Sequence, residues 1–582
     1  MNSLLVANRG EIAVRVIRAA KELGMRSIAV YSELDRDALH VDLADDSWNI
    51  GPAPASESYL SGERIIKTAL EAGADAIHPG YGFLAENAAF ARAVIEAGLV
   101  WVGPPPDAIA TMGDKISSRR SAEAAGVRPV PGTLEPLGSA TAAAEIADGF
   151  GYPVAVKAAH GGGGKGMRVV HRPEDLVGAF EGAGREAEAY FGSAELYMER
   201  YLERPRHIEA QIVLDDHGNG VFLGERDCTV QRRHQKLIEE TPSSTIEEST
   251  RKAIGEAALA VARDCGYVNA GTVEFLVDQE NEFFFLEMNT RLQVEHAITE
   301  MVTGIDLVKE QLRVAAGEPL SFDAVQPWGH AMEFRINAED PKANFTPGPG
   351  RVSEYREPGG FGVRVDSWIQ PGTRVSQYYD NLMAKLVVWG RDRSEAIERG
   401  RRALREFVVS GVPTTIPAHL MVLDHPDFVS GRHHTRWIEE EIDLSGIETA
   451  VPAVLPEEEA MARRDLTVEV GGRRFTVSYW SPETGLSVGG TRTAPRRRAP
   501  KLSRSPVPVG GEPGLIPAPM QGTIVKVHVK AGDRVGAGDP VCVLEAMKME
   551  NEVTSPVEGE VVDLRIRPGD TVSTGAVLAI VR

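Results

Sequence analysis

The sequence has few cysteines and no long apolar run. Its three cysteines, Cys228, Cys265 and Cys542, are widely spaced and form no C-x-x-C pair, which excludes a disulfide scaffold and a cysteine zinc site. This usage fits a reducing compartment, and we expect a cytoplasmic location. No apolar stretch approaches the roughly 20 residues that cross a bilayer, and the N-terminus lacks a long apolar core. We therefore expect no membrane segment.

An excess of positive charge is also missing. The formal net charge of the 582 residues is −21, which argues against a nucleic-acid partner because a phosphate backbone attracts basic surfaces. The exception is the acid-free, proline-containing segment 484–511, which carries a cluster of arginine and lysine. Such a cluster can bind nucleic acid, but a solvated linker is the favoured interpretation. At roughly 3.1 Å per residue, about 24 residues of such a linker reach on the order of 70 Å.

The order of apolar runs predicts an α/β chain. An apolar run at residues 3–7, a helical pattern to about Leu23 and the run R-S-I-A-V-Y form a βαβ start, which predicts a parallel sheet. Similar alternation continues to about residue 445. Within 466–480, two alternating runs around Gly471-Gly472 predict a β-hairpin.

The last 69 residues, 514–582, contain an internal repeat with an offset of 37 positions. Pro519-Met-Gln-Gly522 recurs as Pro556-Val-Glu-Gly559, and Gly532-Asp533 recurs as Gly569-Asp570. Alternating strands and Gly-Asp turns in both halves predict a small flattened β-barrel with pseudo-twofold symmetry. Lys548, in the stretch L-E-A-M-K-M-E-N-E, falls at the join, where we expect a tight turn with an outward side chain.

Two carboxylates are predicted to face each other across a hairpin in segment 271–296. Its two apolar runs flank D-Q-E-N-E, and a turn centred on Glu280-Asn281 places Glu274 opposite Glu287, with Asn289 on the same face. Opposed carboxylates repel each other, and a hard cation such as Mg²⁺ would bridge them. The alternative is two solvated glutamates on an exposed face.

Glycines and basic residues predict phosphate binding. The stretch V-A-V-K-A-A-H-G-G-G-G-K-G leads from a strand with Lys157 into a loop whose backbone N–H groups can approach phosphates. Its spacing is not that of a P-loop, and a flexible turn is the alternative. Lys115 and the basic run at 231–236 add positive charge for a transferring phosphoryl group. Downstream, Arg291 could hold a small oxyanion, and Glu295, if held close, could act as its general base.

The C-terminal repeat resembles the biotinyl and lipoyl carrier family. The methionines on both sides of the lysine in A-M-K-M match the biotin-acceptor form. This resemblance implies that a biotin protein ligase joins biotin to Lys548 as an amide, which removes the charge of the lysine. The alternative is an exposed turn lysine with incidental methionine neighbours.

Residues 1–445 resemble biotin carboxylase, an ATP-grasp enzyme with a Rossmann-like N-terminal domain. The resemblance rests on stretches that occur in the same order along the chain. They are Asn8-Arg-Gly-Glu-Ile-Ala, His78-Pro-Gly-Tyr-Gly-Phe-Leu-Ala-Glu-Asn, Met112-Gly-Asp-Lys, the glycine loop, Pro205-Arg-His-Ile-Glu, Glu225-Arg-Asp-Cys-Thr-Val-Gln-Arg-Arg-His-Gln-Lys, Glu287-Met-Asn-Thr-Arg-Leu-Gln-Val-Glu-His and Phe334-Arg-Ile-Asn-Ala-Glu-Asp-Pro.

The resemblance implies a role for each matching residue. The implied ATP contacts are Lys115, Lys157, Gly163, Gly164, Glu199, His207, Gln231, His234, Glu274 and Glu287. Glu274 and Glu287, with Asn289 beside them, are implied to hold Mg²⁺ or Mn²⁺. Bicarbonate is implied to lie against Lys236, Arg291, Gln293, Val294 and Glu295. Glu295 would take its proton so that it attacks the γ-phosphate, and Arg335 would bind biotin and stabilise its enolate oxygen.

On this basis we expect an α/β multidomain chain with an all-β flattened barrel at its end. The expected parts are an N-terminal α/β domain at 1–113, an ATP-grasp domain at 114–330 with a lid at about 132–202, a carboxylase C-terminal domain at 331–445, a short β-containing subunit-contact region at 446–490, a Pro/Arg-rich linker at 491–513 and the biotinyl domain at 514–582.

A second active site, which would move the carboxyl group from biotin to an acceptor, is not assigned in this chain. The 68 residues of 446–513 are short for a catalytic domain, so a separate carboxyltransferase β subunit is expected. The fused layout resembles α chains of acetyl- and propionyl-CoA carboxylases. Pyruvate or a longer or branched acyl-CoA is the alternative acceptor, and an inactive biotin-presenting scaffold is a further alternative. The resemblance also implies self-association within an αβ assembly.

Overall fold

The computed structural model describes residues 1–159, 167–191, 193–447, 461–470, 473–482, 514–518, 522–546, 549–572 and 575–582. The chain separates into two compact units, Met1–Val451 and Pro452–Arg582. The finer division into six parts stays a prediction. In the described ranges, no helix is both long and apolar enough to cross a membrane.

The predicted βαβ start is confirmed and extends into a parallel sheet of five strands. Strands β1 and β2 pair in parallel on either side of the first helix, and the strand order is β3-β2-β1-β4-β5, which is Rossmann-like. The apolar run is continuous because both faces of a parallel strand are covered by helices. The elements are β1 (Ser3–Val6), α1 (Gly10–Glu22), β2 (Arg26–Ser32), α2 (Leu39–Leu43), β3 (Asp46–Gly51), α3 (Gly62–Glu71), β4 (Ala76–His78), α4 (Ala88–Glu96), β5 (Val100–Trp101) and α5 (Pro106–Gly113).

A small antiparallel sheet with its own apolar core follows. It has the strand order β7-β6-β8, and two helices bury one set of its side chains, including Val154, Val156 and Met198. The elements here are α6 (Lys115–Ala124), α7 (Ala140–Phe150), β6 (Val154–Ala158), β7 (Arg168–Val170), α8 (Leu176–Phe191) and β8 (Leu196–Arg200).

An antiparallel sheet of eight strands supports the candidate site. Its order is β13-β12-β9-β10-β11-β14-β21-β19. The chain elements from β9 to β14 are β9 (Arg206–Leu214), β10 (Gly220–Arg232), β11 (Gln235–Thr241), α9 (Glu248–Asp264), β12 (Asn269–Val277), β13 (Phe283–Asn289), α10 (His296–Thr303), α11 (Leu307–Ala315) and β14 (His330–Asn337). The elements that follow are β15 (Glu339–Asp340), β16 (Thr346–Pro347), β17 (Gly350–Arg351), β18 (Glu354–Arg356), β19 (Val363–Ser367), β20 (Arg374–Val375), β21 (Leu382–Gly390), α12 (Arg393–Glu406), β22 (Val408–Ser410), α13 (Ile416–Asp424), α14 (Pro426–Val429) and α15 (Trp437–Glu441). Of these strands, β19 and β21 belong to the large sheet, whereas β15 with β16, β17 with β20 and β18 with β22 form separate two-stranded sheets.

The register between β12 and β13 confirms one prediction and corrects another. Glu274 pairs with Glu287, as predicted. Nearer the turn, however, Val277 pairs with Phe283, one residue away from the predicted register. A bulge between the Glu274 and Phe275 pairs absorbs this difference, because an extra residue on one strand shifts the pairing beyond it.

The second unit begins with the predicted hairpin. Strands β23 (Met461–Val470) and β24 (Arg473–Pro482) pair in antiparallel fashion, with Val470 opposite Arg473. Gly471 and Gly472 lie outside the described residues.

Two four-stranded sheets form the predicted flattened barrel and its pseudo-twofold. Their orders, β25-β32-β30-β27 and β29-β28-β26-β31, match strand for strand at the predicted offset. The registers match too, since Leu515 pairs with Ile580 and Val543 pairs with Glu552. The strands are β25 (Leu515–Pro517), β26 (Gly522–Val527), β27 (Arg534–Val535), β28 (Pro540–Ala546), β29 (Met549–Thr554), β30 (Gly559–Leu564), β31 (Thr571–Val572) and β32 (Val577–Val581).

Candidate active site

Glu274 and Glu287 lie side by side on the hairpin of β12 and β13. Glu274 is 4% exposed, so the alternative of two solvated glutamates is wrong for this residue. Its oxygens accept hydrogen bonds from Asn289 Nδ2 at 2.6 Å and His207 Nε2 at 2.7 Å. Lys115 Nζ donates to Glu287 at 2.9 Å, and its charge holds the pKa of Glu287 below the usual range.

Lys236, at the start of β11, connects three carboxylates. Its ammonium donates to Glu209, to Glu274 at 3.2 Å and to Glu295 at 2.7 Å. Burial disfavours the charged lysine, but the nearby Glu274 and Glu295 raise its pKa above the usual value. Lys236 is therefore a fixed positive charge inside the site, as the predicted bicarbonate contact requires.

Glu295 lies between two cations. One oxygen accepts from Lys236, and the other accepts from Arg335 Nη2 at 2.9 Å. Arg335 also donates from Nε to Glu239 at 2.6 Å. Burial opposes ionisation of Glu295, yet Lys236 and Arg335 hold its pKa well below the usual range. The structure thus places the predicted base in its ionised form, beside the predicted biotin-binding arginine.

Arg291 follows β13 and is held on three sides. Its Nε donates to Glu86 Oε2 at 2.8 Å, Nη2 donates to Asn289 Oδ1 at 3.1 Å, and Nη1 donates to the Leu292 carbonyl at 3.2 Å. A guanidinium has five N–H groups, so one on each terminal nitrogen remains beyond these contacts. These N–H groups are donors of the kind that bind a small oxyanion.

The other predicted bicarbonate contacts, Gln293 and Val294, lie in the same loop. Gln293 Nε2 donates to Glu274 at 3.0 Å, and its oxygen accepts from Arg226 Nη2 at 2.7 Å. The Val294 carbonyl accepts from Lys385 Nζ at 2.7 Å, so the backbone N–H is what Val294 can offer to an anion. The structure thus brings this loop together with the β12–β13 hairpin of Glu274 and Glu287, which we call the carboxylate hairpin.

The predicted ATP contacts form a second group beside the first. Lys157 on β6 donates to Glu199 on β8, which also accepts from Arg119 Nη1 at 3.2 Å. Gln231 Nε2 lies 3.4 Å from His207 Nδ1. These contacts place Lys157 and Glu199 in the small sheet and His207 and Gln231 on the large one.

His234 occupies an unusual turn. Arg233 and His234 both have positive φ, at 47° and 65°, between the paired residues Arg232 and Gln235. Non-glycine residues rarely adopt this conformation, and it occurs preferentially at functional sites. Burial and the charge of Lys157 lower the pKa of His234, so its imidazole is neutral near pH 7.

Three of the predicted site residues lie outside the described residues. These are Gly163 and Gly164 of the glycine loop and Lys548 at the carrier turn. The strands that flank Lys548 are described, and Ala546 pairs with Met549 across the two intervening positions.

Sequence reasoning missed part of the site. Glu209 and Arg226 are buried beneath it, and Glu86 and Glu239 each hold one of its arginines. The run G-E-R-D on β10 gives no signal that distinguishes Arg226 from a surface arginine, because its acceptors come from distant strands. They include Gln211 at 2.6 Å and Thr272 at 3.1 Å.

The residues present fit a hard divalent cation. Two opposed carboxylates and an amide oxygen are ligands that Mg²⁺ prefers, and the hairpin already attracts the ammonium groups of Lys115 and Lys236. A further group, unpredicted, is His207, Glu209 and Glu274, whose ligand atoms lie within 4.8 Å of one another. Glu274 belongs to both sets.

Four family models match the chain in order. They are the biotin carboxylase N-terminal domain over residues 1–109, the ATP-binding domain of the carbamoyl-phosphate synthase L chain over 114–322, the biotin carboxylase C-terminal domain over 333–440 and the biotin-requiring enzyme domain over 514–581.

Curated relatives differ in the acceptor that their names imply. The biotin-dependent acyl-coenzyme A carboxylase alpha3 subunit of Mycobacterium leprae is 47% identical, over 100% of this chain and 98% of the relative. One pyruvate carboxylase subunit, from Methanothermobacter thermautotrophicus, is 49% identical, over 80% of this chain and 94% of the relative.

A solved structure matches three-quarters of the chain. It is the biotin carboxylase domain dimer of Hydrogenobacter thermophilus 2-oxoglutarate carboxylase, in complex with MgADP, ADP and bicarbonate. The TM-score is 0.73 at 47% identity, and the match covers 75% of this chain and 97% of the other.

Proposed function

The chain belongs to the biotin-dependent carboxylases, as a biotin carboxylase fused to a biotinyl domain, and we propose that the cluster around Lys236 carries out its reaction. Members of this family use ATP, Mg²⁺ and biotin, and the reaction is the ATP-dependent carboxylation of biotin. The observation that carries the assignment of the cluster is the placement of Lys236 between Glu274 and Glu295. This contact joins the carboxylate hairpin to the loop of Arg291.

ATP binds between the small sheet and the carboxylate hairpin in this proposal. Lys115, Lys157 and Glu199 lie on the first side; Gly163 and Gly164, also proposed as ATP contacts, lie outside the described residues. His207, Gln231 and His234 lie on the other. Glu274, Glu287 and Asn289 would hold Mg²⁺ or Mn²⁺, which neutralises charge on the phosphates. The opposition of the two glutamates supports this set.

Bicarbonate lies against Arg291 and Lys236, with Gln293 and the Val294 N–H beside it. Glu295 removes its proton so that an oxygen attacks the γ-phosphate and ADP leaves. The carboxyphosphate that forms then breaks down to CO₂ and phosphate. The low pKa of Glu295 makes it a weak base while both of its oxygens face cations. An arriving anion competes for Lys236 and so raises the basicity of Glu295 when it is needed.

Arg335 would bind the ureido oxygen of biotin. Its guanidinium is ionised and held by Glu239 and Glu295, so a positive charge is already in place where negative charge develops. Biotin, when bound there, would supply the ureido nitrogen that gives up its proton to the released phosphate and takes up CO₂. We assign the attachment point of biotin to Lys548, modified by a biotin protein ligase.

An acyl-CoA is the proposed final acceptor, on a separate carboxyltransferase β subunit. The full-length match to an acyl-coenzyme A carboxylase α subunit supports this choice. Pyruvate is the second candidate, because a pyruvate carboxylase subunit matches 80% of the chain. Self-association within an αβ assembly and a cytoplasmic location stay predictions.

Two assays test the proposal. Purified protein, co-expressed with a biotin ligase, should hydrolyse ATP only when bicarbonate is present and should carboxylate free biotin. Partner chains captured on avidin should then carboxylate acetyl- or propionyl-CoA. ATP hydrolysis that is indifferent to bicarbonate would contradict the site assignment, and carboxylation of pyruvate alone would contradict the acyl-CoA assignment.

A further inference from the structure

Lys385 is a fully buried lysine beneath the loop of Arg291 and Glu295. It lies near the middle of β21, pairs with Arg335 on one side and Asp366 on the other, and is 0% exposed. Opposed residues in a sheet point to the same face. Lys385 therefore shares a face with Arg335, the proposed biotin-binding residue.

The ammonium of Lys385 is charged and surrounded by acids. Glu11 lies 3.5 Å away and Asp366 3.8 Å away, and Glu333 adds a further attraction. Burial disfavours the charged form, but these carboxylates raise the pKa of Lys385. Asp366 is already held by two hydrogen bonds from Arg364, at 3.0 and 2.6 Å. The buried side-chain oxygens of Glu11 and Glu333 have no hydrogen-bond partner among the described residues, so these two acids are left to Lys385.

Lys385 makes a hydrogen bond to the backbone of the loop that carries Arg291 and Glu295. Its Nζ donates to the Val294 carbonyl at 2.7 Å. The peptide group is planar, so this contact sets the plane that joins Val294 to Glu295. From that plane the Glu295 side chain extends to Lys236 at 2.7 Å and Arg335 at 2.9 Å.

A second contact holds the same loop one residue earlier. His296 Nδ1 donates to the Gln293 carbonyl at 2.7 Å, and burial keeps the pKa of His296 well below its usual value, so the ring is neutral. The loop thus has one neutral and one charged anchor. Only the charged anchor acts on the peptide of Glu295 itself.

We propose that Lys385 is a positioning residue, which orients Glu295 for proton removal from bicarbonate by holding the Val294 carbonyl. This inference rests on the proposed role of Glu295. Lys385 does not touch substrate. A displacement of about 1 Å at a reacting group costs on the order of 100-fold in rate, so loss of the anchor should lower catalysis without changing ATP binding.

The test uses variants that separate positioning from folding. Lys385→Met alone leaves Glu11 and Glu333 buried without their cation, which can unfold the chain. The pair Lys385→Met/Glu11→Gln removes the lysine together with one of these two acids and keeps similar volumes. Glu11→Gln alone keeps the bond to Val294, and Lys252→Met removes a lysine that is 72% exposed. All are compared with wild type by thermal unfolding and by initial rates over bicarbonate and ATP concentrations.

The double variant should fold and should lose about tenfold or more in kcat/KM for bicarbonate, with an unchanged KM for ATP. Glu11→Gln and Lys252→Met should match wild type. A folded double variant with wild-type kcat/KM for bicarbonate would overturn the inference, as would an equal loss in Glu11→Gln. Failure of the proposed function is distinguishable, since it would appear as unaltered bicarbonate dependence in Glu295→Gln.

Discussion

Glu86 Oε2 and Arg291 Nε form a hydrogen-bonded ion pair of 2.8 Å between the N-terminal α/β region and the loop that follows β13. Glu86 also accepts from the Thr290 backbone N–H at 3.2 Å. These two contacts fix the Nε side of the Arg291 guanidinium. We predict that Glu86 in this way orients Arg291 for bicarbonate.

Glu86→Ala should raise the KM for bicarbonate about tenfold and leave the KM for ATP unchanged. The reason is that a hydrogen bond to a charged group contributes about 1.5 kcal/mol or more, and 1.4 kcal/mol corresponds to tenfold. Initial-rate kinetics with bicarbonate as the varied substrate measure it. Glu96→Ala, at an exposed glutamate of α4, is the matched control. A lower KM for bicarbonate would instead mean that Glu86 competes with the substrate.

Glu295→Gln should reduce bicarbonate-dependent ATP hydrolysis by about 100-fold or more, because a general base contributes a factor of that order. The amide keeps the size of the side chain but cannot take the proton. The folded fraction, measured by circular dichroism, serves as the reference, and Glu280→Gln at an exposed turn position is the control. An unchanged rate would remove Glu295 from the role of base.

Removal of divalent cations with EDTA should stop ATP hydrolysis, and Mg²⁺ or Mn²⁺ should restore it. In Glu287→Gln, the Mg²⁺ concentration for half-maximal rate should rise about tenfold, because one carboxylate ligand is lost. Glu282→Gln, on an exposed glutamate beside the same hairpin, should keep the wild-type requirement. An equal Mg²⁺ requirement in Glu287→Gln and wild type would contradict the predicted metal set.

Lys548→Arg should abolish the mass increase of one biotin that the wild-type chain acquires with a biotin ligase. Arginine keeps the positive charge but lacks the primary amine that forms the amide. Lys530→Arg, at an exposed lysine of the same domain, should retain the full increase. Intact mass spectrometry distinguishes the cases, and biotin retained by Lys548→Arg would place the attachment elsewhere.

Asp35→Asn should lower the melting temperature strongly at pH 7 and less at low pH. Burial opposes ionisation of Asp35, but Arg9, 2.6 Å away, holds its pKa below the usual value. A lowered folded-state pKa contributes stability that is present above the unfolded value of about 3.9 and is lost as the pH falls. Breaking a buried ion pair costs about 3–5 kcal/mol. Differential scanning fluorimetry from pH 7 to 3 measures it, with exposed Asp37→Asn as the control, and a pH-independent deficit would contradict it.

The spacing of apolar residues and the internal repeat predicted the architecture well, because both can be read directly from the sequence. The offset of the C-terminal repeat predicted its two sheets, and the polar turn of segment 271–296 predicted that Glu274 faces Glu287. The bulge beside this pair was missed. It places an extra residue, Leu286, in a run of apolar residues, F-F-F-L, where no glycine or polar residue marks it.

The charged supports of the site could not be predicted from local pattern. Lys385 lies 91 residues from Val294 in the sequence, and Arg226 lies 67 from Gln293. In the sequence, a buried charged residue of a strand cannot be distinguished from a solvent-exposed one, because the sequence does not show which element packs against the strand. Their partners are set by the stacking of α10 and its preceding loop on the eight-stranded sheet, which is a property of the tertiary structure.

The two equivalent strand pairs of the C-terminal barrel show what the turn at residues 547 and 548 is not needed for. Strands β25 and β32 hold the same ladder as β29 and β28, although they lie at the two ends of the domain and no short loop connects them. The ladder therefore does not depend on a closing turn. Substitutions designed to prevent modification at Lys548 should therefore leave the pairing of β28 with β29 intact.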